Sequence, residues 1–173
     1  MAGDLSDSNI TDAGLIHVGG LTNLRTLNLS RTKISDAGLV HLSKLKYVEE
    51  VFLEDMGVTD AGLVHLRGLK NLAVLVLGNT TVADAGLVNV AELTNLTHLY
   101  LGNTAVTDAG LVHLRGLRNL SNLGIDGTAV TDAGLTQLRE LKNLTSVNLW
   151  GSKVTDKGIE ELRGALPHCS IGP

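Results

Sequence analysis

Leu21, Leu45, Leu69, Leu93, Leu117 and Leu141 stand 24 residues apart, and from each the same alternation of apolar and polar positions follows. Three more apolar columns run in phase: Leu24/Val48/Leu72/Leu96/Leu120/Leu144, Leu27/Val51/Leu75/Leu99/Leu123/Val147 and Leu29/Leu53/Leu77/Leu101/Ile125/Leu149. Around the last two columns the alternation has period two, as in Leu75-Val76-Leu77, which predicts a short strand with its leucines turned inward. Further along, Leu63 and Leu66 sit at i and i+3, the spacing of one face of a helix about two turns long. Thr59, Thr107, Thr131 and Thr155 are the expected N-caps, followed by Asp60, Asp108, Asp132 and Asp156, where a helix N-terminus favours negative charge. Gly38, Gly62, Gly86, Gly110, Gly134 and Gly158 recur inside these helices at about 1 kcal/mol each relative to alanine, so close contact between neighbouring helices is expected.

Polar columns flank the strand. Thr32, Thr80, Thr104 and Thr128, with Ser8 and Ser152 at the same position, are expected to bond turn backbone through their hydroxyls, and Met56 interrupts them. Asn23, Asn71, Asn95, Asn119 and Asn143 precede the strand and are expected to bond backbone between coils; Tyr47 replaces them once. The motif L-x-x-L-x-L-x-x-T-x-V with T-D-A-G-L resembles the leucine-rich repeat, in its bacterial 24-residue form. It is more distantly similar to the cysteine-containing repeats of F-box substrate adaptors, which carry Cys at the Thr position. The resemblance covers essentially the whole chain and implies an α/β fold: a right-handed solenoid of about seven coils. A parallel sheet would line its concave face and short helices its convex face. Residues 1–20 form a partial first repeat, 21–164 six full repeats and 165–173 a C-terminal cap, together one domain. One unit cannot bury its own leucines, so stacking supplies the core.

Composition narrows the function. The chain of 173 residues is 43% hydrophobic but only 2% aromatic, with a net charge of −4, which argues against a phosphate-backbone binder. No apolar run is long enough to span a bilayer, and the start at Met1 lacks a secretory leader pattern. Cys169 is the one cysteine, expected as a small core residue without a disulfide or a cysteine-based zinc site. Of six N-x-[S/T] sequons, those at Asn95, Asn119 and Asn143 fall on the asparagine column. A glycan there would obstruct packing, which favours a reducing or bacterial setting over a eukaryotic secretory one. His17, His41, His65 and His113 share a helix column, broken at Asn89. Zinc ligands must converge on one point, so the row reads as a solvated face, and no metal or cofactor is expected. No phosphate loop, nucleophile elbow or dinucleotide fingerprint occurs, so catalysis is not expected.

Function should then reside in the outward strand positions. Numbered from Leu24 as one, these are positions 3, 5, 7 and 8. Three of the four aromatics, Phe52, Tyr100 and Trp150, fall there, and exposed aromatics are typical binding anchors. Phe52, Val74, Val76 and Tyr100 are expected to form one apolar strip flanked by Glu50, Glu54, Asp55 and His98. Asp4 and Asp7 extend the acidic edge, and Asn122 and Asp126 complete the face. Gly78, Gly102, Gly124, Gly127 and Gly151 leave room for close approach or serve turn geometry, the latter being favoured. A protein partner with a basic and apolar patch fits this surface; nucleic acid and membrane insertion do not. A self-assembling unit pairing through its edge strands, and a recognition fragment of a larger effector or ubiquitin-ligase-adaptor-like protein, remain open.

Overall fold

The computed structural model describes residues 1–172. Eight three-residue strands form one parallel sheet in sequence order: β1 (Ala2–Asp4), β2 (Thr26–Asn28), β3 (Glu50–Phe52), β4 (Val74–Val76), β5 (His98–Tyr100), β6 (Asn122–Gly124), β7 (Ser146–Asn148) and β8 (Ser170–Gly172). Seven helices alternate with them: α1 (Asp12–Val18), α2 (Asp36–Leu39), α3 (Asp60–Leu63), α4 (Asp84–Val90), α5 (Asp108–Leu111), α6 (Asp132–Leu135) and α7 (Asp156–Ala165). The result is an unclosed solenoid with the sheet on one side and the helices on the other. Two of the eight strands come from the ends. Residues near the N-terminus supply β1, and the segment after α7 supplies β8, which pairs with β7 along Ser170–Gly172.

Every strand pairs with the next at a shift of 24 residues, Thr26 opposite Glu50, Glu50 opposite Val74, Val74 opposite His98. A slip of one residue would turn each leucine outward, and the buried columns forbid it. Leu27, Val51, Leu75 and Leu99 are fully buried, as are Leu29, Leu53, Leu77 and Leu101. The short helices tighten into 3-10 turns, Val40–Lys44, Val64–Leu66 and Val112–Gly116, before the chain re-enters the next coil. Tightened last turns are common in helices this short.

Polar side chains fix the spacing of the coils. Thr32, Thr80, Thr104 and Thr128 are buried, and each hydroxyl donates to the carbonyl three residues back at 2.6–2.7 Å. Ser8 and Ser152 act differently, accepting from the N–H two residues ahead. The amides of Asn71, Asn95, Asn119 and Asn143 donate to carbonyls of the preceding coil at 2.7–3.0 Å. Tyr47, in the same column, instead lies under the Arg25 guanidinium, 5.6 Å from the ring centre.

A second interlock runs along the helix N-termini. Thr59, Thr107 and Thr131 cap their helices as expected, each accepting from the alanine N–H two residues on. Each also reaches into the preceding coil: Thr131 donates its N–H and hydroxyl to the Asp108 carboxylate at 2.8 and 2.6 Å. Asp12 with Ser35, Asp36 with Thr59, Asp84 with Thr107 and Asp132 with Thr155 repeat the pair of bonds. Asp60 keeps only the backbone bond, because its partner is Ala83. The aspartates therefore serve the next coil as well as their own helix dipole. Helical glycines exist to admit them: a Cβ on Gly86 would lie 2.5 Å from an Asp60 carboxylate oxygen.

The interlock carries a pH signature. The two Thr155 bonds hold the Asp132 carboxyl below its ordinary value of 3.8. A carboxyl depressed in the folded state stabilises the fold above its unfolded pKa, and that contribution disappears as pH falls through the folded value. Thermal melts between neutral pH and about pH 3 should therefore show a steeper loss for the wild type than for Asp132→Asn. Parallel curves would mean that the bonds do not couple protonation to folding.

Candidate functional site

The sheet register brings the outward side chains into rows. Phe52, Val76 and Tyr100 stand opposite one another on β3, β4 and β5, and Glu50, Val74 and His98 form the row beside them. All but Tyr100 are half-buried, and Tyr100 is 37% exposed. The expected strip is thus contiguous across three strands. His98 lies 6.4 Å from Tyr100, ring centre to ring centre, and its Nδ1 is 2.9 Å from the Thr97 hydroxyl. Trp150, 71% exposed, stands apart after β7, separated from Tyr100 by β6 with Asn122 and Gly124.

Three glycines on this face are shelves for the face's own side chains. A Cβ on Gly124 would come within 2.9 Å of Tyr100 Cδ1, one on Gly102 within 2.6 Å of Asp126 Oδ2, and one on Gly78 within 3.1 Å of Glu54 Oε1. Tyr100, Asp126 and Glu54 therefore lie flat across neighbouring strands. The space over Gly78, Gly102 and Gly124 is filled from within the chain.

Position 8 proves to be a turn. Asp7, Arg31, Asp55, Asn79 and Asn103 have φ of 54–57°, and Gly127 and Gly151 have 63° and 68°. Asp, Asn and Gly tolerate this left-handed region best, which accounts for Asp55, Gly127 and Gly151 at these places. Arg31 is the exception, and its guanidinium grips both oxygens of Asp7 at 2.7 and 2.8 Å. That contact holds the Asp7 carboxyl below its ordinary value, as the hydroxyl and N–H of Ser6 do for Asp4.

The acidic character of the face is uneven. Glu49 pairs with Arg25, Asp7 with Arg31, and Glu50 accepts from the Thr26 hydroxyl at 3.0 Å. Glu54, Asp55 and Asp126 take no ion-pair partner among the described residues. The net charge of −4 conceals an asymmetry. Of the seven aspartates at 24-residue intervals from Asp12 to Asp156, the first six are engaged in the interlock.

The leucine pattern does not reveal a further row. On the helix side Ile16, Val40, Val64, Val88 and Val112 are 42–56% exposed at one position of five successive coils. Their common spacing was the available signal. The histidine row lies beside them; among the described residues no three His, Cys, Asp or Glu side chains are grouped to hold a metal ion.

Two shallow cavities lie away from the strip. One of about 210 Å³ is lined by Asn23, Arg25 and Tyr47, and one of about 170 Å³ lies beside Leu166 and Cys169. Cys169 is buried, and burial pushes its thiol pKa up. Among the described residues no helix is long and apolar enough to cross a membrane.

The Leucine Rich repeat family profile matches residues 20–43 and 92–114. No curated protein sequence matches the chain. Among solved structures, an internalin from Listeria monocytogenes (internalin F) superposes with a TM-score of 0.83 at 22% identity, over 99% of this chain and 46% of that one. Internalin C2 from the same organism superposes with a TM-score of 0.65 at 24% identity, over 98% of this chain and 80% of that one. The chain thus spans less than half the length of the internalin F structure. Two stretches of the chain match the family profile, and the eight parallel strands in one unclosed sheet, with these superpositions, show the leucine-rich repeat solenoid fold.

Proposed function

We propose that the chain is a binding module that takes a protein partner on its sheet face, the concave face of this fold. Leucine-rich repeat domains are in general protein-interaction modules. The observation that carries the finer reading is the Phe52–Val76–Tyr100 row, set on three adjacent strands of a chain otherwise almost free of aromatics. Aromatic side chains on a rigid sheet lose little entropy on contact and supply much of the buried area in interfaces. Glu54, Asp55 and Asp126, unpaired beside the row, favour a partner whose apolar patch is bordered by lysine or arginine.

Capture from lysate tests this with the triple change Phe52→Ala, Tyr100→Ala, Trp150→Ala. The wild type is expected to retain a partner that the variant loses by at least ~10-fold, with the circular dichroism spectrum unchanged. Equal capture by a folded variant would remove the sheet face from consideration.

A further inference from the structure

The sheet face changes character after β5. Its outward positions on β3 to β5 include Phe52, Val74, Val76 and Tyr100, whereas on β6 to β8 they are Asn122, Gly124, Ser146, Asn148, Ser170 and Gly172. The register sets Asn122, Ser146 and Ser170 in one row and Gly124, Asn148 and Gly172 in the row beside it. No aliphatic side chain stands among them. Just past β7 comes Trp150, the one tryptophan of the chain, 71% exposed.

The polar groups around this indole are not used by the fold. The Asn148 side-chain oxygen accepts the Trp150 N–H at 3.2 Å, and its NH2 group donates to nothing among the described residues. Asn122 is alike: its oxygen accepts the Ser121 hydroxyl at 2.9 Å and its NH2 group is free. Asp126 occupies the position of Trp150 one coil earlier, and its carboxylate has neither an ion-pair nor a hydrogen-bond partner among the described residues. Beside the indole the backbone is bare. Gly127 donates its N–H to the Trp150 carbonyl at 2.7 Å, and a Cβ on Gly151 would meet only Gly127 backbone atoms, at 3.7 Å. Lys153, exposed, follows three residues after Trp150.

An aromatic anchor of a protein interface sits among packed neighbours that exclude water, and Trp150 has none. It offers a broad apolar ring bordered by amide donors, serine hydroxyls and a carboxylate acceptor. A saccharide matches that set. One face of a pyranose is built of C–H groups that pack on an aromatic ring, and the hydroxyls around its rim both donate and accept. The Asp126 carboxylate leans away from Trp150, over Gly102 of the preceding coil, so about two strand spacings, ~10 Å, separate it from the indole. One pyranose ring does not reach both, but a chain of rings does. An unpaired carboxylate also repels an anionic sugar.

We propose that Trp150, Asn148, Asn122 and Asp126 form a binding site for a neutral oligosaccharide lying across the coils. One ring stacks on the indole, the two asparagines donate to its hydroxyls and those of its neighbour, and Asp126 accepts from a hydroxyl further along. The site is separate from the Phe52–Val76–Tyr100 row and stands whether or not that row takes a protein.

Because the chain has one tryptophan, its fluorescence reads this site alone. The probes are the β-1,4-linked tetramers of glucose, mannose and N-acetylglucosamine, with their monosaccharides and tetragalacturonate beside them. At least one neutral tetramer is expected to shift the emission to the blue, saturably, and to bind ~10-fold or more tightly than its monosaccharide. Asn148→Ala and Asp126→Ala should each weaken that tetramer ~10-fold, with unchanged circular dichroism, and Phe52→Ala/Val76→Ala should leave it as in the wild type. In calorimetry Trp150→Phe should keep part of the affinity and Trp150→Ala none.

No saturable response to any of the three neutral tetramers would overturn the proposal, and so would a response to tetragalacturonate alone. Undiminished binding by both Asn148→Ala and Asp126→Ala would overturn it too, reducing the contact to unspecific stacking on an exposed indole. If no saccharide binds and the Phe52/Tyr100/Trp150 variant still loses a protein partner, the protein-binding face stands and the saccharide site falls.

Discussion

Gly110→Ala is expected to destabilise the fold by about 3 kcal/mol, whereas Gly116→Ala in the same coil should stabilise it by about 0.5 kcal/mol. A Cβ on Gly110 would overlap an Asp84 carboxylate oxygen and lie 3.0 Å from Leu87 Cδ1 and 3.2 Å from Asp84 Cα. The carboxylate cannot swing away freely, because it accepts the Thr107 N–H and hydroxyl at 2.7 Å each. Either α5 shifts outward, at the ~1–3 kcal/mol typical of overpacking, or bonds to a charged acceptor break, at ~1.5–3 kcal/mol. A Cβ on Gly116 meets nothing within 4 Å, and its backbone lies outside the left-handed region. There alanine only restricts the unfolded chain. Helix propensity alone would make both changes stabilising, so urea unfolding of the pair separates the explanations. Two gains of similar size would show that the glycine column is not held by the carboxylates.

Much of this fold could be read in one dimension, and the reason is its regularity. Six registers without an insertion fix which residues lie across from one another, so the adjacency of Phe52, Val76 and Tyr100 follows from numbering once strands are placed. Contacts that cross between coils through side chains were less legible. Asp108 has a sufficient local explanation as a first-turn acid, and its second role appears only when Thr131 is brought beside it. The substitution of Ala83 for threonine in one coil was the only hint.

The left-handed turn at position 8 was written in its composition, Asp, Asn and Gly, but Arg31 obscured it. How Tyr100, Asp126 and Glu54 lean over Gly124, Gly102 and Gly78 has no periodic signature at all, since it depends on which neighbour lacks a side chain. The exposed valine row was hidden for the opposite reason. Valine inside an apolar-rich helix reads as core until its neighbours show that the core is already filled.

Val76→Arg is expected to reduce partner binding about 100-fold, and Val76→Glu only about 10-fold, with neither changing the urea midpoint appreciably. Val76 sits half-buried on the outward side of β4, between Phe52 and Tyr100. Either charge must be stripped of water when an apolar surface closes over it, a cost that a buried unpaired charge does not recover. The two signs then part company. Arginine meets a partner edge already basic, and in the free protein it is drawn towards the unpaired Glu54, which must be given up on binding. Glutamate is repelled by its own acidic neighbours but attracted by the partner's lysines and arginines, so part of the loss returns. Titration of the captured partner against both variants reads the difference directly. Equal losses would leave the apolar row in place and remove the basic border from the description of the partner. Binding by both variants at wild-type strength would place the contact elsewhere on the chain.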